Sequence, residues 1–117
     1  MFDKLFPENK FSAAILLDDT GVSMPHTQTI RCVNKSYSRL PHERILNVGG
    51  TNADGSHWKQ SQQQTIKEIE AGTWEYYSQL VWRRDRVVVA TYHGKKYIKT
   101  VGDDVHPDTL LSLPECP

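Results

Sequence analysis

Three stretches of the chain hold residue types that could do chemistry. The first is His42-Glu43-Arg44. A histidine, a carboxylate and a guanidinium could supply a general base, a group to orient it and a grip on phosphate, the set that phosphodiester chemistry needs. Neighbours on an extended segment point to opposite faces, so this spacing predicts a site shared by His42 and Arg44, with Glu43 turned away. The competing expectation is structural: Pro41-His42 ends a loop, and Glu43 or Arg44 pairs with a neighbouring strand.

The second stretch, Gly49-Gly50-Thr51-Asn52-Ala53-Asp54-Gly55-Ser56, is almost all turn formers and is predicted to be a loop feeding a helix. Amides near a helix start attract anions, and Gly49-Gly50 would let a ligand approach the backbone closely. Gly49, Gly50, Asn52 and the adjacent Trp58 are therefore candidate ligand contacts. The loop is no P-loop, because Ser56-His57 follow Gly55 where Lys and then Ser or Thr are required. Nor is it an EF-hand, since Asp54 lacks acidic companions at the calcium-ligand offsets. The alternative is that the glycines are simple turn residues.

The third is a concentration of charge. Between Val81 and Val101 stand six basic residues (Arg83, Arg84, Arg86, Lys95, Lys96, Lys99) against the single acid Asp85. The stretch from Gly102 onward carries four acids and no Lys or Arg, and residues 1–28 carry four acids against two lysines. The 14 basic and 14 acidic residues of the whole chain cancel, so a neutral total conceals polarity. With Trp82, Tyr92 and Tyr97 close in sequence, Arg83, Arg84, Lys96 and Lys99 are candidate contacts to an anionic ligand through charge and stacking. The competing expectation is a solvated hairpin whose lysines protect sheet edges while the acidic tail folds back on it.

Other chemistries find little support. No G-x-S-x-G occurs, and Cys116 lies beside Pro114 and Pro117, where a positioned base is hard to build. The five histidines are scattered without metal-ligand spacing, so neither a metal site nor a cofactor is implied. Cys32 and Cys116 are expected as reduced thiols, with Cys32 an inert core residue, because a chain of 117 residues can build a core without a disulfide. The longest early aliphatic run, Ala13 to Leu17, is too short for a secretory or membrane segment, and the expected location is the cytoplasm.

The elements that must position these residues are legible from periodicity. Residues 1–28 read as an N-terminal arm whose Phe2, Leu5, Phe6 and Phe11 dock on the body or on a partner. Thr29 to Lys35 alternates as a strand, with Ile30 and Cys32 on one face and Val33 on the other, and Arg44 to Val48 is a second strand. Ser61 and Gln64 have the spacing of a capping box, and Gly72 supplies the stop of a helix that places Trp58, Gln62, Thr65, Ile66 and Ile69 on one side, with Glu68 outward. Trp74 to Val81, Arg86 to Tyr92 and Lys95 to Val101 form an antiparallel meander, with Trp82 to Asp85 as a connection and His93-Gly94 as a tight turn. The prolines of residues 102–117 predict an extended tail. The result is an α+β two-layer domain over 29–117, of order β-β-α-β-β-β, with one main helix on an antiparallel sheet of about four to five strands.

The blocks Pro41-His42-Glu43-Arg44-Ile45, Gly49-Gly50, Trp58, Ile69-Glu70, Lys96-Tyr97-Ile98-Lys99-Thr100 and Leu110-Leu111-Ser112-Leu113-Pro114-Glu115-Cys116 resemble a small bacterial and phage family known only as a domain of unknown function. The resemblance covers residues 29–117 and implies that the blocks form one module. It supplies no activity. The functional expectation is a small non-enzymatic binding module for an anionic partner: nucleic acid, a nucleotide or an acidic protein surface. Alternatives are a protein-interaction module, such as a phage inhibitor of a host factor, and a phosphoesterase using His42 and Arg44.

Overall fold

The computed structural model describes residues 25–80 and 83–117. Seven strands form two sheets, not one. Strands β1 (His26–Ile30), β5 (Trp74–Leu80), β6 (Arg83–Tyr92) and β7 (Lys95–Thr100) make a four-stranded sheet in the order β1-β5-β6-β7. Strands β2 (Cys32–Lys35), β3 (Ile45–Thr51) and β4 (His57–Ser61) make a three-stranded sheet in the order β2-β3-β4. Helix α1 (Gln62–Ala71) is the main helix, and a short helix, α2 (Asp108–Leu111), lies near the C-terminus. The α+β class holds, with more strands than expected. Among the described residues no helix is long and apolar enough to cross a membrane.

The single strand expected over Thr29 to Lys35 is split at exposed Arg31, where the chain passes from one sheet to the other. In one straight strand Ile30 and Val33 would face opposite ways. The change of sheet lets both turn inward, and both are fully buried. β1 runs parallel to β5, with Ile30 beside Ser78, and its first residues, 26–28, belong to the segment assigned to the arm. The apolar arm residues Phe2, Leu5, Phe6 and Phe11 lie outside the described residues.

Local signals fare better. Ser61 caps α1 by accepting a hydrogen bond from Gln64 N at 3.1 Å, and Gly72 ends it at φ 75°. The Gln64 side chain does not complete a capping box; it donates to Glu68 Oε2 at 2.9 Å. His93 and Gly94 both have positive φ, as the tight turn between β6 and β7 requires.

Glu68, expected outward, is buried. Its carboxylate accepts from the Tyr76 hydroxyl and from Gln60 Nε2, which also lies 2.9 Å from Thr65 Oγ1. Burial first, and then the Glu68 charge, hold the Tyr76 phenol protonated far above its ordinary range. Gln62 is likewise buried. It donates to the carbonyls of His42 and Ile45 and accepts Ile98 N at 3.0 Å, which occupies the outer edge of β7. One apolar cluster, including Ile30, Val48, Trp58, Ile66, Trp74 and Ile98, is shared by both sheets, α1 and α2.

The expectation of free thiols is overturned: Cys32 and Cys116 form a disulfide, with Cα atoms 4.9 Å apart. Core size was a poor guide because the tail returns across 84 residues to run beside β2. Val33 N donates to Pro114 O at 2.9 Å, and Asn34 Nδ2 reaches Glu115 Oε1 and Cys116 O. The tail is not extended throughout, since α2 forms between Pro107 and Pro114 and buries Leu110. Proline is compatible with a helix start, so these prolines bound the helix without forbidding it.

Candidate functional site

The face of the four-stranded sheet turned away from α1 can be read from parity. Trp74, Tyr76 and Ser78 are buried against the helix side, so Glu75, Tyr77 and Gln79 point the other way. Cross-strand partners share a face. Tyr77 is paired with Arg86 and Gln79 with Arg84, while Thr27 and Thr29 of β1 stand beside Glu75 and Tyr77. On β7, Lys99 is opposite Val88.

Among the described residues the outer face therefore gathers Thr27, Thr29, Tyr77, Gln79, Arg84, Arg86 and Lys99, with the Glu75 carboxylate among them and Asp103 beside Lys99. The Arg84 guanidinium lies over the Tyr77 ring, 4.1 Å from its centre, and Arg84 is exposed. Arg86 Nη2 is 3.5 Å from Glu75 Oε2, and Lys99 Nζ donates to the Asp103 carbonyl at 2.9 Å. No carboxylate among the described residues forms an ion pair with Arg84.

The same parity divides the expected basic cluster. Arg83 and Lys96 fall on the helix side, where Arg83 Nε is 2.8 Å from Asp85 Oδ2 and Lys96 Nζ is 2.7 Å from Glu70 Oε2 on α1. Lys96 is opposite Thr91, about 23 Å along β6 from Arg84 at ordinary strand rise. Of the four candidates in that cluster, Arg84 and Lys99 share a face; Arg83 and Lys96 do not join them. Tyr77, which this face adds to the candidates, was not among those read from sequence. Its signal was present, since alternation along Trp74 to Leu80 already placed it opposite Trp74 and Tyr76.

The His42 region departs from its expected geometry. Pro41–Glu43 is a 3-10 turn started by proline, not an extended segment. Successive side chains then differ by about 120°, not 180°, so His42 and Glu43 can lean together. His42 Nε2 is 3.6 Å from Glu43 Oε2, while Arg44 turns away to place Nη1 3.3 Å from His106 Nδ1. Thus His42 and Arg44 do not share a site.

An open hollow of about 600 Å³ is lined by Ser36, Ser38, His42, Glu43, Leu46 and Lys95, among others. Ser38 Oγ donates to Glu43 Oε1 at 2.8 Å. The carboxylate thus lies between the hydroxyl and the imidazole, whereas an activated serine needs the imidazole at its own oxygen. His42 Nδ1 is shielded from solvent, which leaves only the Nε2 beside Glu43 to meet a ligand.

The glycine-rich candidates are packing residues. Gly49, Gly50 and Thr51 belong to β3, and β4 intervenes before α1, so the true loop, 52–56, does not feed a helix start. A Cβ at Gly49 would lie 2.6 Å from Trp58 O and 3.0 Å from each disulfide sulfur. At Gly50 it would lie 2.4 Å from Thr29 O, so glycine here permits β1 and β3 to approach. Trp58 is core. Asn52 braces the loop, accepting from Gln28 Nε2 at 3.3 Å and donating to Ser56 Oγ at 3.1 Å. Within the loop, hydrogen bonds from the Ser56 hydroxyl and amide hold the Asp54 carboxyl below its ordinary range.

The family model described as "Protein of unknown function (DUF3892)" matches residues 29–114. The chain belongs to that family. The match starts within β1 and ends two residues before Cys116, so it spans both sheets and α1. No curated protein and no solved structure matches the chain.

Proposed function

We propose that this protein is a small non-enzymatic binding module whose outer sheet face engages an anionic partner. The observation that carries the reading is the exposed Arg84, without a carboxylate partner among the described residues, on a face shared with Arg86 and Lys99. Cations held on one side of a rigid sheet attract a polyanion without first having to be gathered, and among the described residues Glu75 beside Arg86 and Asp103 beside Lys99 offset only part of their charge. The three classes of partner compatible with such a field are nucleic acid, a nucleotide and an acidic protein surface. A cytoplasmic location is the other part of this reading, and the Cys32–Cys116 disulfide, a bond that persists in oxidising compartments, speaks against it.

Retention on heparin at low salt tests it. The wild-type protein should be retained and should elute as salt rises. The Arg84→Glu/Lys99→Glu double variant should pass through, whereas the helix-side variant Lys96→Glu should elute close to wild type. Wild-type protein in the flow-through would overturn the reading.

A second reading, a protein-docking module, draws on a different place. Tyr37 is fully exposed and Leu40 and Leu46 are largely so, with Leu46 beside Ser36 and Ser38 in the hollow. The phosphoesterase reading has less support, because Arg44 reaches His106 and does not line the hollow with His42.

A further inference from the structure

We infer that the partner of the outer face is single-stranded nucleic acid, with a base stacked on the Tyr77–Arg84 pair; this rests on the polyanion reading above. Charge alone does not choose among polyanions. The flat ring-and-guanidinium stack does, because it adds an affinity that carboxylate and sulfate chains cannot use. A guanidinium lying 4.1 Å above a tyrosine ring presents a second plane to solvent, and planar arginine and aromatic groups are surfaces on which unpaired bases stack.

The neighbours suit the rest of a nucleotide. Thr29 stands beside Tyr77 on the same face and offers a hydroxyl to a stacked base's edge, while Gln79, whose amide nitrogen donates to the Leu80 and Arg83 carbonyls, keeps its side-chain oxygen as an acceptor. Arg86, paired across from Tyr77, and Lys99 one strand further supply cations on the β6–β7 side, where phosphates would run. Same-face residues repeat about every 6.7 Å along a strand, a spacing on the scale of successive phosphates in a stretched single strand. A duplex offers its bases already stacked and only its backbone to a sheet face, so it can use the cations but not the ring.

The Arg86–Glu75 pair does not close the site. It is an exposed contact at 3.5 Å, and such pairs are weak enough for a phosphate to compete for the arginine. Neither Arg83 nor Lys96 contributes, since both face the helix side and already have carboxylates.

The test is fluorescence anisotropy with labelled single-stranded DNA and RNA of about 12 nucleotides, the matching duplexes, and polyglutamate, read beside heparin retention. The proteins are full-length wild type, Tyr77→Ala, Tyr77→Phe and Arg84→Lys, each with its circular dichroism spectrum and melting temperature recorded. At least one single strand should bind about tenfold more tightly than its duplex and than polyglutamate. Tyr77→Ala should weaken it about tenfold and Tyr77→Phe less than about twofold, because only the ring is needed. Arg84→Lys, which keeps charge but loses the plane, should weaken the single strand while leaving heparin elution nearly unchanged.

If heparin retains the protein but duplex or polyglutamate binds as well as single strands, or if Arg84→Lys leaves single-strand affinity unchanged, the inference falls and the polyanion reading stands. If neither heparin nor any oligonucleotide binds, both fall. Should Tyr77→Ala unfold the protein, Tyr77→Phe and Arg84→Lys still decide the question.

Discussion

The three-stranded sheet and the outer face of the four-stranded sheet use suggestive residues in opposite ways. In the first, Gly49, Gly50 and Trp58 look like ligand contacts, yet each is spent inward: the glycines make room for Thr29, Trp58 and the disulfide, and Trp58 fills the core. In the second, Tyr77, Arg84 and Arg86 come from an ordinary alternating strand pair and end up on one accessible face. Residue type was therefore a weaker guide to which side chains stay accessible than the side of the sheet on which register placed them.

That contrast predicts large stability effects on the first side and small ones on the second. Replacing Cys32 and Cys116 by serine should have the largest, about 4.5 kcal/mol for a closure of this length in the chain-entropy account, seen as a lower urea midpoint with unchanged native circular dichroism. A loss under about 1 kcal/mol would mean that the contacts of the tail with Val33 and Asn34 hold it without the bridge. Gly50→Ala should come next, at about 3 kcal/mol, because its new methyl meets the Thr29 backbone carbonyl and the Trp58 ring.

Between the two regions lies the buried Gln60–Glu68–Tyr76 network. Tyr76→Phe should cost about 2 kcal/mol by removing a buried hydroxyl from its partners. The folded protein binds the phenolic proton more tightly than the unfolded chain does. The associated stability is thus complete below about pH 10 and declines as pH rises further, and Tyr76→Phe should lack that part of the alkaline decline in melting temperature.

On the outer face Arg84→Ala should change stability by less than about 1 kcal/mol, since an exposed cation–π contact contributes little to folding. A loss above about 2 kcal/mol would make Arg84 a structural residue and dissolve the contrast. The smallest effect belongs to Asp54. Its lowered folded-state value means that its contribution is present at neutral pH and is lost as pH falls through that value. Asp54→Asn should therefore differ slightly from wild type in melting temperature at neutral pH, with the gap closing in acid.

The cysteines explain why part of the fold was misread. Core size argued for thiols, but whether Cys116 meets Cys32 depends on how the tail travels after α2, which no local pattern records. The glycines misled for a related reason. Gly-Gly followed by Thr-Asn-Ala-Asp-Gly has a loop's composition, and only the arrival of β1 against β3 reveals that two of those residues are strand positions where a side chain has no room. At Pro41 the turn-starting residue was visible, and an extended reading of the next two residues still gave His42 the wrong neighbour.

By itself the sequence determined the Ser61 cap and Gly72 stop of α1, the His93-Gly94 turn, the β5-β6-β7 meander and the alternation that sets Tyr77 opposite Trp74 and Tyr76. Each depends on sterics and hydrogen bonds within a few residues, or on a period of two. Tertiary structure alone decided the break at Arg31, the parallel pairing of β1 with β5, the disulfide, the burial of Glu68, and which cations share a face. Those outcomes depend on segments remote in the chain meeting in one register, and a shift of one residue would turn every side chain of a strand to the opposite side.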